Sequence, residues 1–219
     1  MIFSPMVMNH QTSNITGTTC KLDIFGDGSC IAVYNFDGNV NDLSGNYNGT
    51  WIGTEQYDTG VYNQSAKFVT SDDGVLIDTL PTIEDFTISS WVKWDGSNAK
   101  MPIYLKGDNN DIFLYWVDGN IYKYYETDSY VDNNKGTTDW QFIVIKYSSD
   151  DSLFTMSLDA NYSETMSSNK VIGSNPILKL GYSYKDTYRF GGLIDQVRIF
   201  NRALTDTEIE ELYNETACT

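Results

Sequence analysis

The segment from Tyr34 to Trp51 holds the densest group of side chains that could do chemistry. It begins as an apolar, strand-like run and continues as a loop of Asp, Asn, Ser and Gly residues. The oxygen-bearing side chains of the loop belong to Asp37, Asn39, Asn41, Asp42, Ser44, Asn46 and Asn48. Asn and Asp hydrogen-bond their own backbone in turns, and the same oxygens are ligands that Ca²⁺ prefers. The loop alone leaves both interpretations open.

Composition narrows the classes of partner. The chain has 219 residues and a net charge of -16, with 14 Lys and Arg residues against 30 Asp and Glu residues. This balance argues against nucleic acid, whose phosphates are recognised by Lys and Arg, and it suits divalent cations. No apolar run is long enough to insert into a membrane, and the N-terminus has no recognisable signal peptide.

The first thirty residues differ from the rest. We predict a partly ordered lead-in over residues 1–30, with a small hairpin over residues 20–30, followed by one domain over residues 31–219. A disulfide between Cys20 and Cys30 and free thiols are both compatible with the sequence. No Cys or Cys/His pattern typical of a zinc site is present.

Short apolar segments separated by turns predict an all-β fold. In Phe86–Trp94, residues Phe86, Ile88 and Val92 alternate with Thr87, Ser89 and Trp91, as expected of a strand with two distinct faces. Asp118-Gly119 indicates a tight hairpin. The other predicted strands are Ile31–Phe36, Thr50–Ile52, Ala66–Val69, Val75–Leu80, Met101–Lys106, Ile112–Val117, Asn120–Glu126, Trp140–Tyr147, Leu153–Leu158, Ile177–Tyr184 and Leu193–Phe200. Twelve strands with regular turns favour an antiparallel sandwich or barrel.

One helix is predicted, over Asp206–Asn214. Thr205 and Glu208 have the spacing of a capping box. Leu204, Ile209 and Leu212 then fall on one face. We expect this helix to lie across an edge or one end of the sandwich.

The last predicted strand contains an acid that needs a partner. Strict alternation places Asp195 on the same face as Val197 and Ile199, with Arg198 on the other face. A buried carboxylate requires a cation or several hydrogen-bond donors. The loop at residues 37–48 could supply either N–H groups or a shared calcium ion.

Four motifs occur in one order along the chain: F-D-G-N-V-N-D-L-S-G-N-Y-N-G-T, D-F-T-I-S-S-W-V-K, G-G-L-I-D-Q-V-R-I-F-N-R-A-L-T and E-I-E-E-L-Y. Together they resemble the laminin-G-like family of the concanavalin A-like lectin/glucanase superfamily, over roughly residues 31–214. The resemblance implies a two-sheet antiparallel jelly-roll sandwich with one short C-terminal helix. It also implies a structural calcium held by Asn39, Asp42, Asn48 and Asp195, with backbone carbonyls from Ser44 and Gly45.

The lead-in C-K-L-D-I-F-G-D-G-S-C-I-A resembles segments that precede such domains in phage tail-region and bacterial surface proteins. This shorter resemblance implies an extracellular, cell-surface or virion location.

The superfamily includes glucanases, so hydrolysis has to be tested against the residues. Glucanases of this superfamily carry an E-x-D-x-E strand, and this chain has none. The sole histidine, His10, lies in the lead-in, so a catalytic triad would have no base in the main domain. We predict that the chain is not an enzyme.

Aromatic residues favour binding instead. Tyr and Trp rings suit the stacking of sugars or contact with protein. We predict a carbohydrate or glycoconjugate platform formed by Tyr115, Tyr122, Tyr124, Tyr182 and Tyr184. The alternative is a structural or adhesion module that uses the same aromatics against other subunits of an assembly.

Overall fold

The computed structural model describes residues 21–69, 72–97, 101–107, 111–117, 120–125, 128–132, 136–167, 174–182 and 189–215. Within these ranges the chain forms fifteen strands and one helix. The strands are β1 (Cys30–Tyr34), β2 (Thr50–Ile52), β3 (Tyr57–Thr59), β4 (Gln64–Phe68), β5 (Gly74–Ile77), β6 (Phe86–Trp94), β7 (Ile103–Lys106), β8 (Asp111–Val117), β9 (Asn120–Tyr125), β10 (Asp128–Asp132), β11 (Trp140–Ser148), β12 (Leu153–Leu158), β13 (Tyr162–Ser167), β14 (Ile177–Leu180) and β15 (Gly192–Phe200). The helix is α1 (Asp206–Tyr213). No helix in these ranges is long and apolar enough to cross a membrane.

The strands pair into two antiparallel sheets. Sheet A has the order β13-β12-β11-β6-β15-β4-β3, and β1 also pairs with β15. Sheet B has the order β10-β9-β8-β7-β14-β5-β2. The chain crosses repeatedly between them, since β4 belongs to sheet A, β5 to sheet B and β6 to sheet A again. This topology confirms the predicted jelly-roll sandwich.

Three strands were not predicted, and all three lie at sheet edges. They are β3 and β13 at the two ends of sheet A and β10 at one end of sheet B. Their sequences are Y-D-T, Y-S-E-T-M-S and D-S-Y-V-D. Edge strands bury less apolar surface and often carry polar residues that block further pairing, so their hydrophobic alternation is weak.

An apolar cluster fills the space between the sheets. Phe86, Ile88 and Val92 of β6 belong to it, as their spacing predicts, and each is at most 1% exposed. From sheet B, Val75 and Ile77 of β5 enter the same cluster. Because these side chains come from alternate strand positions, the other positions of the same strands face outward.

A second apolar cluster covers the outer face of sheet A. Trp91 of β6 and Phe142 of β11 belong to it, and the rings lie 5.2 Å apart. Helix α1 packs here through Ile209 and Leu212. The expected position of the helix at an edge or end is therefore wrong, because the outward aromatics of sheet A need a cover. Parts of the lead-in complete that cover, namely Leu22, Ile24 and Phe25.

A buried ion pair links β15 to Glu215, which lies two residues after the end of the helix. Arg198 Nη2 lies 2.6 Å from Glu215 Oε1, with side-chain exposures of 2% and 6%. Arg198 Nη1 also donates to the carbonyls of Lys21 at 2.8 Å and Leu22 at 3.3 Å. The Tyr62 hydroxyl donates to the Glu215 carbonyl. Four separate segments are thus joined around one guanidinium group.

The lead-in adopts bends rather than the predicted hairpin over residues 21–29. Cys30 begins β1 as a buried free thiol. Burial raises the pKa of this thiol to about 12, so it is protonated at neutral pH. Cys20 and Cys218 lie outside the described residues.

Strand β15 contains a bulge at its acidic position. Gln196 has a φ of 50°, and the pairing register with β6 shifts between Asp195 and Arg198. A bulge inserts one extra residue and reverses the alternation beyond it. Ile194 lies in the interior cluster before the bulge, so Asp195 points to the opposite face, and Val197 and Ile199 return to the interior beyond it. The prediction that these three residues share a face is wrong.

The capping box of α1 is present as predicted. The Thr205 side chain accepts the Glu208 N–H at 3.3 Å, and the Glu208 carboxylate accepts the Thr205 N–H at 2.8 Å. Glu208 also forms two hydrogen bonds with Arg202, at 2.7 and 2.9 Å. These bonds lower the pKa of Glu208 from 4.5 to about 2.

This pKa shift predicts a pH dependence of stability. Since the pKa of Glu208 is lower in the folded chain, its contribution is complete above pH 4.5 and is lost as the pH falls toward about 2. Thermal melts of the wild type and Glu208→Gln, compared from pH 7 to pH 3, measure this contribution to stability. The wild type should melt higher at pH 7, and the difference should shrink below pH 4.5. A difference that stays constant with pH would contradict the assignment.

Candidate functional site

The Asp42 carboxylate organises the loop at residues 37–49 from inside. It is 3% exposed. Its Oδ1 accepts the N–H groups of Val33 at 2.9 Å and Ser44 at 3.1 Å. Its Oδ2 accepts the Tyr47 N–H at 3.1 Å and the Ser44 hydroxyl. Four donors occupy the two oxygens, three within the loop and one from β1, so Asp42 is satisfied by local hydrogen bonds.

Two predicted ligand amides are also engaged within this loop. Asn48 Oδ1 accepts the Asp42 N–H at 3.1 Å. Asn39 Oδ1 accepts the Asn41 N–H at 2.9 Å, and Asn39 Nδ2 donates to the Asp37 carbonyl at 3.3 Å. Asn48 is therefore hydrogen-bonded to Asp42, and Asn39 is bonded separately to the backbone of Asp37 and Asn41.

Asp195 lies beneath the turn between β3 and β4. It is 0% exposed, and its Oδ2 accepts the Tyr62 N–H at 3.0 Å. Gly60 is needed beside it, because a Cβ at that position would lie 2.4 Å from Oδ2. The other carboxylate oxygen, Oδ1, is buried without a hydrogen-bond partner.

The surroundings of Asp195 disfavour its negative charge. Burial raises the pKa of Asp195 well above its usual value, and the charge of Asp37 raises it further. The N–H groups of Tyr62, Gln196 and Val61 oppose this rise. An ionised carboxylate with one unpartnered oxygen and a second carboxylate nearby is a setting that a cation would stabilise.

Asp37 binds the same turn through Asn63 and Gln64. Its Oδ1 accepts the Gln64 N–H at 3.0 Å. Its Oδ2 accepts the side-chain amides of Asn35 at 2.9 Å and Asn63 at 3.5 Å. Asp37 was not among the predicted ligands. The sequence feature that could have identified Asp37 is its position directly after the first predicted strand, as the first acidic residue of the loop.

Two carboxylates, those of Asp195 and Asp37, could supply oxygen ligands at this turn. In the described part of the chain, no group of three or more His, Cys, Asp or Glu residues is arranged to hold a metal ion. Calcium does not need such a group, because backbone carbonyls, amide oxygens and water complete its shell. The predicted set of Asn39, Asp42, Asn48 and Asp195 stays a prediction, and Asp37 joins it as a carboxylate that binds the same turn as Asp195.

The outer face of sheet B carries a group of aromatic and cationic side chains. Leu76 of β5 is paired with Lys179 of β14, which is paired with Tyr104 of β7. The Lys179 ammonium lies 5.7 Å from the ring centroid of Tyr104 and 4.8 Å from that of Tyr182. At these distances the cation is attracted to both rings.

Tyr182 is positioned by a glycine. A Cβ at Gly74 of β5 would lie 2.1 Å from Tyr182 Cδ1, so the ring rests directly on the backbone of β5. Burial raises the pKa of the Tyr182 hydroxyl, and Asp78 raises it further. Tyr182 is half-buried, and this predicted ligand-binding residue therefore has a fixed place on sheet B.

Three other predicted ligand-binding tyrosines, Tyr115, Tyr122 and Tyr124, belong to strands of the same sheet. Tyr115 of β8 is paired with Tyr122 of β9. Tyr104 of β7 is paired with Phe113 of β8, and Phe113 is paired with Tyr124 of β9. The structure describes these positions of β8 and β9 by their backbone only, and Tyr184 lies outside the described residues.

Solved structures of other proteins have a similar fold. Domain 4 of AbnA, a GH43 extracellular arabinanase from Geobacillus stearothermophilus solved in complex with arabinotriose, superposes with a TM-score of 0.72 and 22% identity, over 84% of this chain and 98% of that one. The binding domain of Paraclostridial Mosquitocidal Protein 1 superposes with a TM-score of 0.68 and 19% identity, over 85% of this chain and 52% of that one. The receptor binding domain of botulinum neurotoxin C/D mosaic serotype superposes with a TM-score of 0.66 and 18% identity, over 85% of this chain and 51% of that one.

The chain therefore spans about half of the two toxin binding domains and almost all of the arabinanase domain. At these identities the superpositions establish the fold. A search of curated proteins finds no match. A laminin-G-type profile, described as Concanavalin A-like lectin/glucanases superfamily, matches residues 63–210. With more than half of its length matched, this chain belongs to the concanavalin A-like lectin/glucanase superfamily.

Proposed function

We propose that this domain is a non-catalytic module that binds carbohydrate through the outer face of sheet B. The observation that carries the proposal is the half-buried Tyr182 ring beside the Lys179 ammonium on that face. Tyr104, the other ring beside Lys179, is fully buried and serves only as support. Tyrosine rings offer a flat apolar surface with a polar tip, which suits a sugar ring. The outer face of sheet A is less suitable, because α1 and the lead-in already cover it.

The relatives of the fold support this choice of ligand. The arabinanase domain was solved with arabinotriose, and the two toxin proteins are described as binding and receptor binding domains. A role in attachment to a cell surface or host, outside the cell, extends the proposal.

We further propose that Ca²⁺ binds between Asp195 and Asp37. The support is the unpartnered Oδ1 of Asp195 and the raised pKa that Asp37 helps to cause. A calcium ion there would neutralise the two carboxylates and fix the Gly60–Gln64 turn that both already bind. Its role would be structural, since Asp195 is fully buried.

A glycan-array screen in calcium and in EDTA tests the proposed function. We expect selective binding of a small set of glycans in calcium, with weaker binding in EDTA if the metal shapes the neighbouring loops. Light scattering of the same sample gives the oligomeric state. A tight oligomer with no glycan bound would contradict carbohydrate binding and favour a module that acts through protein contacts.

A further inference from the structure

Strands β2 and β5 of sheet B and the residues after β14 bring a compact set of outward side chains together. Trp51 of β2 points inward and stacks on Phe68 at a centroid distance of 5.5 Å, so its neighbour Ile52 lies on the outer face. Ile52 is paired with Gly74 and is 38% exposed. Because the Tyr182 ring rests on Gly74, Ile52 and Tyr182 are neighbours on this face.

An ion pair borders the same place. Arg189 is bridged to Tyr182 by backbone pairing, and bridged residues share a face of the sheet. Arg189 Nη1 lies 3.0 Å from Asp72 Oδ1, with side-chain exposures of 21% and 77%. The Asp72 carboxylate therefore faces water beside an aromatic ring, with a guanidinium group next to it.

The backbone beneath this set is firmly held. Asp73 is 1% exposed, and its carboxylate accepts the N–H groups of Thr54 at 3.1 Å and Val69 at 2.9 Å. Gly53 lies so close that a Cβ there would be 2.5 Å from the Asp72 carbonyl. A surface positioned in this way loses little conformational freedom when a ligand binds.

We propose that Tyr182, Ile52, Asp72 and Arg189 form a subsite for one uncharged sugar ring, which we name the Tyr182 subsite; this inference rests on the proposed carbohydrate-binding function. The apolar face of the sugar packs on Tyr182 and Ile52. Two adjacent hydroxyls of the sugar bind the ion pair, one donating to the Asp72 carboxylate and one accepting from the Arg189 guanidinium.

Local charge selects a neutral ligand. Arg189 is balanced by Asp72, with which it is paired. Lys179 lies beside Tyr182, and the negative charge of Asp78 acts on the same tyrosine. Among the described residues, two cations are thus offset by two carboxylates around the ring. This part of the chain offers an acidic sugar no excess of positive charge, and the net charge of the whole chain is -16.

The test uses the glycine beneath the ring. Affinities for arabinotriose and for neutral gluco-, galacto- and xylo-oligosaccharides are measured by calorimetry, with oligogalacturonate as the acidic comparison. Tyr182→Ala should weaken binding of the best neutral ligand by roughly tenfold or more. Gly74→Ala should do the same by displacing the ring, and the double variant should be no weaker than either single one. Oligogalacturonate should bind no better than the neutral sugars.

Matched variants separate the subsite from general damage. Asp72→Asn should weaken binding severalfold, whereas Asp58→Asn, which removes a similar exposed pair with Lys67 on sheet A, should have no effect. Thermal melts show whether each variant is folded, and Tyr182→Phe provides a milder change that keeps the ring. If sugars bind and all subsite variants bind like the wild type, the Tyr182 subsite is wrong while carbohydrate binding stands. If no sugar binds the wild type, both proposals fail.

Discussion

Replacing Arg198 with methionine should lower the free energy of unfolding by about 3–5 kcal/mol, because it leaves a buried carboxylate without its partner. Arg198 and Glu215 are only 2% and 6% exposed, and they lie 2.6 Å apart. The same guanidinium also binds the carbonyls of Lys21 and Leu22. Urea denaturation of the purified domain measures the loss.

Two further variants identify the cause of this loss. Glu215→Gln combined with Arg198→Met should recover part of the stability, because no charge then remains buried. Asp58→Asn breaks the pair between Asp58 and Lys67, whose side chains are 46% and 38% exposed, respectively. It should lower the free energy of unfolding by about 1 kcal/mol or less. A loss of that small size in Arg198→Met would show that the buried pair contributes little to the fold.

Calcium should raise the melting temperature, and EDTA should reverse the change. A ligand at 100 times its dissociation constant adds about 2.7 kcal/mol of stability. For a domain of this size that corresponds to a shift of roughly 5–10 °C. Scanning calorimetry in calcium and in EDTA measures the shift. Identical melts of the wild type in the two buffers would rule out a stabilising calcium site.

Substitutions at the three aspartates show where the ion binds. Asp195→Asn and Asp37→Asn should abolish the calcium shift. In EDTA, Asp195→Asn should be at least as stable as the wild type, because it removes a buried charge. Asp42→Asn should be less stable in both buffers and keep the shift, since its carboxylate accepts the N–H groups of Val33, Ser44 and Tyr47. Loss of the shift in Asp42→Asn alone would favour the ligand set predicted from sequence.

Local patterns predicted much of the fold because they depend on neighbouring residues. The alternation of β6 gave the correct inward face, and the capping box of α1 is present. The bulge in β15 could not be predicted, because a glutamine does not indicate the φ of 50° that Gln196 adopts there. A rule of strict alternation therefore misplaced Asp195.

The candidate site depends on contacts that the sequence does not display. Asp37 and Asp42 are carboxylates of one loop, and composition cannot tell which one binds the same turn as Asp195 and which one accepts N–H groups within the loop. The position of Tyr182 likewise depends on Gly74 of a different strand. The resemblance of motifs supplied the fold, and only the packed structure shows these pairings.

The central claim is that the outer face of sheet B binds carbohydrate. Hydrogen–deuterium exchange, measured with and without the oligosaccharide that binds most tightly on the array, tests it most directly. We expect slower exchange in peptides covering residues 72–77 and 177–182, with no change in those covering residues 28–34 and 198–215. Protection confined to the second pair of peptides would place the ligand on sheet A and contradict the claim.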